Sequence, residues 1–151
     1  MRTRACFTSL VFLFQVVLVH SVIADDASRG PDYIWKNPPG GPNHSSLIQV
    51  IANPERFDGK RILVDGFVQL QFENMALYLG KESADYHIPG NAVWLVFPDG
   101  FLSDADKQKF HRQYVMIEGI FRKDHRGHRS VYPGALTEIN GIKIIKKMES
   151  D

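Results

Sequence analysis

The stretch Gly59–Phe72, which reads G-K-R-I-L-V-D-G-F-V-Q-L-Q-F, most constrains what this chain can become. Ile62, Val64, Val68, Leu70 and Phe72 fall on one parity, the period of a strand with one face in a core. Gly66 shares that parity, at a place where a large side chain is expected. Glycine weakens a strand, so its presence there points to a sharp bend, as at a barrel corner. The same word returns downstream, with Ile62–Val68 answered by Val115–Phe121, V-M-I-E-G-I-F. Two long strands, each with an acidic residue followed by glycine at matched places, predict a small closed β-barrel.

The chain has 151 residues, enough for about one domain. Apolar residues make up 44% and charged residues 23%, an ordinary balance for one packed core. The formal charge of +1 gives no general pull toward nucleic acid or anionic lipid.

Residues 1–24 read as a secretory signal peptide. Arg2 and Arg4 form a basic start, Ala5–Val19 is almost entirely apolar, and Val22-Ile23-Ala24 offers compact residues to a signal peptidase. The alternative is an uncleaved membrane anchor, for which the apolar run is short against the roughly 20 residues a span needs. Cleavage after Ala24 leaves 16 Lys and Arg against 17 Asp and Glu, so the remainder is near neutral. It also removes Cys6, the one cysteine of the chain, so a mature exported protein would be held by its core without disulfides.

Residues 25–44 form a Gly/Pro-rich linker, interrupted by the apolar cluster Tyr33-Ile34-Trp35, which reads as a pin to the barrel's flank or, alternatively, as a docking segment for a partner. Ser46-Leu47-Ile48-Gln49 fits a capping box opening a helix, with Leu47, Val50 and Ile51 on one face. Phe57 is expected to plug the barrel bottom. After the first long strand come a tight connection at Glu73-Asn74 and a second strand over 75–79. A polar loop over 81–91 and a continuously apolar strand over 92–97 follow. Ser103 caps a short helix rich in acidic residues at its start. Strands are expected over 113–123 and 130–139, joined by a hairpin at 124–128, with a further short strand at 141–147. The domain thus runs over 45–147, and 148–151 is a charged tail.

Three strands, a helix and two strands make the order of the OB-fold. The expected class is all-β with short helices: a five-stranded OB-fold-like Greek-key barrel, a helix between strands three and four, and an extra N-terminal helix. The pattern S-L-I-Q-x-I-A-x-P-E-x-F-x-G-K at Ser46–Lys60, followed by A-L-Y-L at Ala76–Leu79, resembles a group of exported bacterial OB-like proteins whose activity is not established. The strand pattern is more weakly similar to the anticodon-binding barrels of aminoacyl-tRNA synthetases. The resemblance implies fold and export, to the periplasm or outside the cell, and supplies no catalytic residues.

Two places can carry chemistry. On an OB-fold the ligand face is built from strands two and three and the flanking loops, which here selects Glu73, Asn74, Tyr78, Trp94, Arg126 and Arg129. Tyr78 alternates with Leu77 and Leu79 and is the surface-facing aromatic, whereas Trp94 sits among apolar neighbours that favour the core. Arg122, Lys123, Arg126 and Arg129 add a basic patch suited to an acidic ligand or simply to solvent. The second place is Asp124-His125-Arg126-Gly127-His128, where two imidazoles and a carboxylate could hold Zn²⁺ or Cu²⁺ if His87 or His111 came close. Such spacing also fits a solvated hairpin tip. Asp65 and Glu118 precede the strand glycines on the parity opposite to the core, which predicts that both face solvent. No G-x-S-x-G, H-E-x-x-H or P-loop is present, and no nucleophilic cysteine remains after cleavage, so no enzyme is expected. The expected function is an exported, non-catalytic binding module for a protein, peptide or glycan partner, with no cofactor. The alternatives are a periplasmic metal-binding protein and a single-stranded nucleic-acid-binding domain, the latter disfavoured by charge and export.

Overall fold

The computed structural model describes residues 29–30, 32–36 and 44–148. The expected signal peptide, most of the linker's Gly/Pro run and the last three residues lie outside this set. Among the described residues, seven strands and four short helices follow one another. They are β1 (Arg29–Gly30), β2 (Tyr33–Trp35), α1 (Leu47–Ala52), α2 (Pro54–Phe57), β3 (Arg61–Gln71), β4 (Asn74–Tyr78), α3 (Lys81–Asp85), β5 (Ala92–Leu95), α4 (Asp104–Phe110), β6 (Tyr114–Arg122) and β7 (Ala135–Ile144). Single 3₁₀ turns occupy Pro89–Asn91 and His128–Ser130. The chain is therefore mostly antiparallel β-sheet with a few short helices, as the alternation predicts.

Pairing runs β3–β4–β5–β7–β6 and returns to β3, so these strands form a closed ring. Every contact in it is antiparallel except β5 with β7, where Trp94 and Leu95 pair with Ala135 and Leu136. Strand β2 adds outside the ring against the far half of β7, with Trp35 opposite Gly141 and Tyr33 opposite Lys143. Seven strands are thus present where five were expected, because the segment read as linker supplies two. Among the described helices, none is long and apolar enough to cross a membrane.

Ile62, Val64, Val68, Leu77, Val93, Leu95, Val115, Ile117, Phe121, Leu136 and Ile142 fill the ring. Phe57 joins this cluster from α2. Burying each such side chain is worth about 1.5–3 kcal/mol, so the interior dominates stability. Gly66 faces Leu77 and the carbonyl of Tyr78, and a Cβ there would stand 2.7 Å from both Leu77 Cγ and the Tyr78 oxygen. Gly119 lies where the β6–β7 register shifts, and its missing Cβ would meet the Thr137 carbonyl at 2.9 Å. The matched glycines mark the points where neighbouring backbone presses closest, and at Gly119 the shift is the bulge that bends a barrel strand.

Several expectations are corrected. Phe72 was placed in the core by parity, yet it is 95% exposed. Gln71 pairs with Asn74, so Phe72 and Glu73 form a two-residue turn and leave the alternation. The capping box at Ser46 is not made, whereas Ser103 and Asp106 form one at α4. The loop over 81–91 contains α3, and β7 starts only after Pro133-Gly134 but then runs unbroken through Ile139 to Ile144. Glu118, expected in solvent, is 4% exposed. The indole of Trp35 lies across Gly141, the residue opposite Glu118 in the ladder, while Asn140 Nδ2 donates to Glu118 Oε1 at 3.3 Å. Asp65 remains half-buried and meets His44 Nε2 at 2.9 Å.

Replacing Gly66 by alanine should lower stability by about 1–3 kcal/mol, the usual cost of overpacking. Urea unfolding monitored by tryptophan fluorescence checks this, and Phe72→Ser, at a fully solvated position, should leave the midpoint nearly unchanged.

Candidate functional site

The outer face of β3, β4 and β5 carries Phe67, Ala76, Tyr78, Ala92 and Trp94, the side chains that alternate away from the ring's interior. Small residues at 76 and 92 leave room for a second layer. Ala84 of α3 and Tyr132 of the β6–β7 connection fill it, making a cluster separate from the main core. Trp94 and Tyr132 meet with ring centroids 5.2 Å apart at 55°. Gly127, at φ +62°, brings the connection so close to Trp94 that a Cβ would stand 2.5 Å from the indole.

This layer covers much of the face that the sequence reading assigned to ligand. Tyr78, expected at the surface, is 1% exposed. Its hydroxyl donates to Asn74 Oδ1 at 2.8 Å, and the Tyr132 hydroxyl donates to the same oxygen at 3.4 Å. Asn74 is itself buried and meets His87 Nδ1 through Nδ2 at 2.9 Å. Burial, followed by the Tyr78 hydroxyl, pushes the Tyr132 phenol well above its ordinary range. Alternation put Tyr78 on the outer face correctly. It could not reveal that α3 and the 126–132 segment fold over that face.

The remaining candidates lie around this plug. Trp94 is half-buried, Glu73 is exposed at the β3–β4 turn with φ +61°, and Arg129 is exposed with φ +57°. Arg126 is spent on structure, its Nε donating to the Tyr132 carbonyl at 3.0 Å. The basic patch is also partly neutralised, since Arg122 pairs with Glu138 and Lys123 with Asp124. Asp124, His125 and His128 do not assemble with a further ligand. Among the described residues, no three His, Cys, Asp or Glu side chains come together in a metal-holding group. His87 is engaged by Asn74, and His111 Nδ1 accepts the Leu70 N–H at 3.1 Å.

An open cleft borders the covered face, about 540 Å³ in volume, between α3 and the start of β6. Gly80, Lys81, Glu82, Asp85, Tyr86 and Tyr114 line it. Tyr86 is 75% exposed and Tyr114 47% exposed. Tyr114 is held edge-on against Phe67, with centroids 5.2 Å apart at 69°, and its hydroxyl accepts the Lys81 N–H at 3.4 Å. Lys81 Nζ and Arg112 Nη2 each reach Asp85 at 2.6 Å. The Lys81 and Arg112 hydrogen bonds hold the Asp85 carboxyl below its usual range. The cleft thus offers two aromatic surfaces beside a fixed set of donors and acceptors. Sequence reasoning missed it, although the i,i+4 spacing of Lys81 and Asp85 signals a helical turn.

No protein-family model, no curated protein and no solved structure matches the chain.

Asn74→Ala should destabilise the protein by about 1–3 kcal/mol, because it strands the buried Tyr78 hydroxyl without its acceptor. Thermal unfolding of the variant measures this. A second outcome concerns His111, whose imidazole pKa is held below 6.5 by burial and then by Arg112. The unfolded chain therefore binds the proton at higher pH than the folded one. His111's contribution should be intact above about pH 6.5, fall as pH drops through that value, and level off below the folded-state pKa. Comparing stability between pH 7.5 and 5 (values set by about the ordinary histidine range) in wild type and His111→Gln isolates this slope, which the variant should lack.

Proposed function

We propose that this chain is an exported, non-catalytic binding module of the OB-fold type, taking a protein, peptide or glycan partner at the α3–Tyr114 cleft. Support for the fold type comes from the ring order, the single parallel contact between β5 and β7, and α4 lying between the third and fourth strands of the ring. The resemblance of Ser46–Lys60 and Ala76–Leu79 to exported OB-like proteins supports the location.

The observation that carries the site is the pair of exposed tyrosines, Tyr86 and Tyr114, on either side of a fixed Lys81–Asp85–Arg112 network. Tyrosine offers a rigid apolar face with a polar tip, a combination suited to a sugar ring or a peptide side chain. The ion network is already ordered, so docking against it costs little further side-chain entropy. The cleft is shallow and open, which fits recognition of part of a larger partner more than enclosure of a reacting small molecule.

The test is a ¹⁵N chemical-shift titration with defined oligosaccharides and, separately, soluble peptides. Saturable shifts at Lys81–Tyr86 and Tyr114 are expected for one of the two classes. Losing a ring contact costs about 0.5–1.5 kcal/mol beyond its area, so Tyr86→Ala/Tyr114→Ala should weaken binding roughly tenfold or more. Tyr86→Ala alone, at a 75% exposed position, should leave the thermal midpoint nearly unchanged, while the double variant also loses the edge contact of Tyr114 with Phe67 and should unfold at a slightly lower temperature. Shifts that saturate only elsewhere, or that persist unchanged in the double variant, would remove the cleft from consideration.

A further inference from the structure

On another part of the surface, the helical segment ahead of β3 encloses a small basic pocket. We infer that it is a binding site for a single oxyanion group, such as phosphate or a phosphate ester, formed by Arg56, Lys60, Gln49 and His44. These four residues come from α2, the position just before β3, α1 and the bridge of His44 to Leu63, and all of them line a pocket of about 290 Å³. Phe57 and Ile62, both buried, complete its wall.

Three observations carry the assignment. First, three other clefts that hold cations also hold a carboxylate: Asp32 lies with Lys143 and Lys146, Asp85 with Lys81, and Asp124 with Lys123 and Arg126. Arg56 and Lys60 have none among the described residues, although they converge on one pocket. Two cations gathered at one pocket repel each other, and an anion placed between them relieves that repulsion. Second, the donors are of complementary kinds. The Arg56 guanidinium gives a planar fork and the Lys60 ammonium a point charge, while the Gln49 side chain has no hydrogen bond elsewhere among the described residues. Arg56 is also oriented, with its Cζ 5.7 Å from the Phe57 ring. Third, size limits the ligand. Sites for drug-sized molecules span about 300–1,000 Å³, so this pocket takes one small group and not a stretch of polymer.

The unformed capping box at Ser46 fits the same arrangement. Gln49 would reach back to the helix start in such a box, but here it lines the basic pocket instead. One pocket residue has a carboxylate partner: His44 Nε2 meets Asp65 at 2.9 Å, and Asp65 does not itself line the pocket. It anchors the imidazole while Arg56 and Lys60 provide the positive field.

The experiment titrates the protein at constant ionic strength with inorganic phosphate, with glycerol phosphate, and with phosphatidylcholine vesicles with and without phosphatidylglycerol. Side-chain resonances of Gln49 and Arg56 report on the soluble arms, and co-sedimentation reports on the vesicles. Expected is a saturable response to at least one phosphate source, weakened at least tenfold in Arg56→Gln/Lys60→Gln and unchanged in Arg129→Gln. Saturation with the soluble compounds assigns a free ligand, and binding only to phosphatidylglycerol vesicles assigns a lipid headgroup. Arg56 and Lys60 are exposed, so an unchanged thermal midpoint will show that the double variant is folded. No saturable response in any arm, or the same response in the double variant, overturns the site. Because the α3–Tyr114 cleft shares no residue with this pocket, either result leaves the cleft to its own test.

Discussion

Close backbone approach at two glycines is the constraint on which this structure depends. Strand β3 is paired on both sides, to β4 and to β6, so each of its inward residues must fit between two neighbours. At Gly66 the space of a side chain is already occupied by Leu77 and the Tyr78 carbonyl, and at Gly119 by the Thr137 carbonyl. With those gaps left open, the sheet can bend enough for β6 to meet β7 and for β7 to meet β5. The apolar interior follows from that closure, because a flat sheet would leave the same residues facing water.

Closure creates an inside, but the outer face has its own logic. Alanines at 76 and 92 lower the relief of β4 and β5, and Tyr132, Trp94 and Ala84 occupy the space gained. Polar atoms enter this layer together: two tyrosine hydroxyls converge on the Asn74 carbonyl oxygen, and His87 takes its amide. A buried network of this kind fixes the covering segment in one arrangement, since any slippage would leave several groups without partners. It also explains why the accessible features lie at the margins of the sheet: the centre is filled by the chain itself.

How much of this was legible in the sequence depends on the range of each signal. Strand alternation and the paired acidic-glycine words are local, and they located β3, β4, β5 and β6 along with the all-β class. Phe72 misled because alternation continues in the letters after the hairpin has already turned. Tyr78 and Glu118 misled for a different reason. Parity tells which face of a strand a side chain takes, but not whether another segment covers that face. The covering segments, α3, residues 126–132 and the Trp35 strand, are set by contacts between residues far apart in the chain. The tyrosine cleft arises from such a distant contact, between α3 and Tyr114, whereas the basic pocket is built within residues 44–62 by the helical turns ahead of β3, and neither has a short motif.

The short strand β2 has a consequence for the order in which the molecule can be completed. Tyr33 pairs with Lys143 and Trp35 with Gly141, so one of the earliest described segments rests on one of the last. During synthesis, residues 33–35 emerge long before their docking edge exists. Meanwhile Ile34 and Trp35, both buried in the folded protein, stay in solvent, and Glu118 lies uncovered even after β6 has formed. Joining segments more than a hundred residues apart pays a loop-closure cost that local hairpins such as β3–β4 avoid. Attachment of β2 is thus the step that covers the closed ring's edge at β7, and it waits until residues 141–143 have been made.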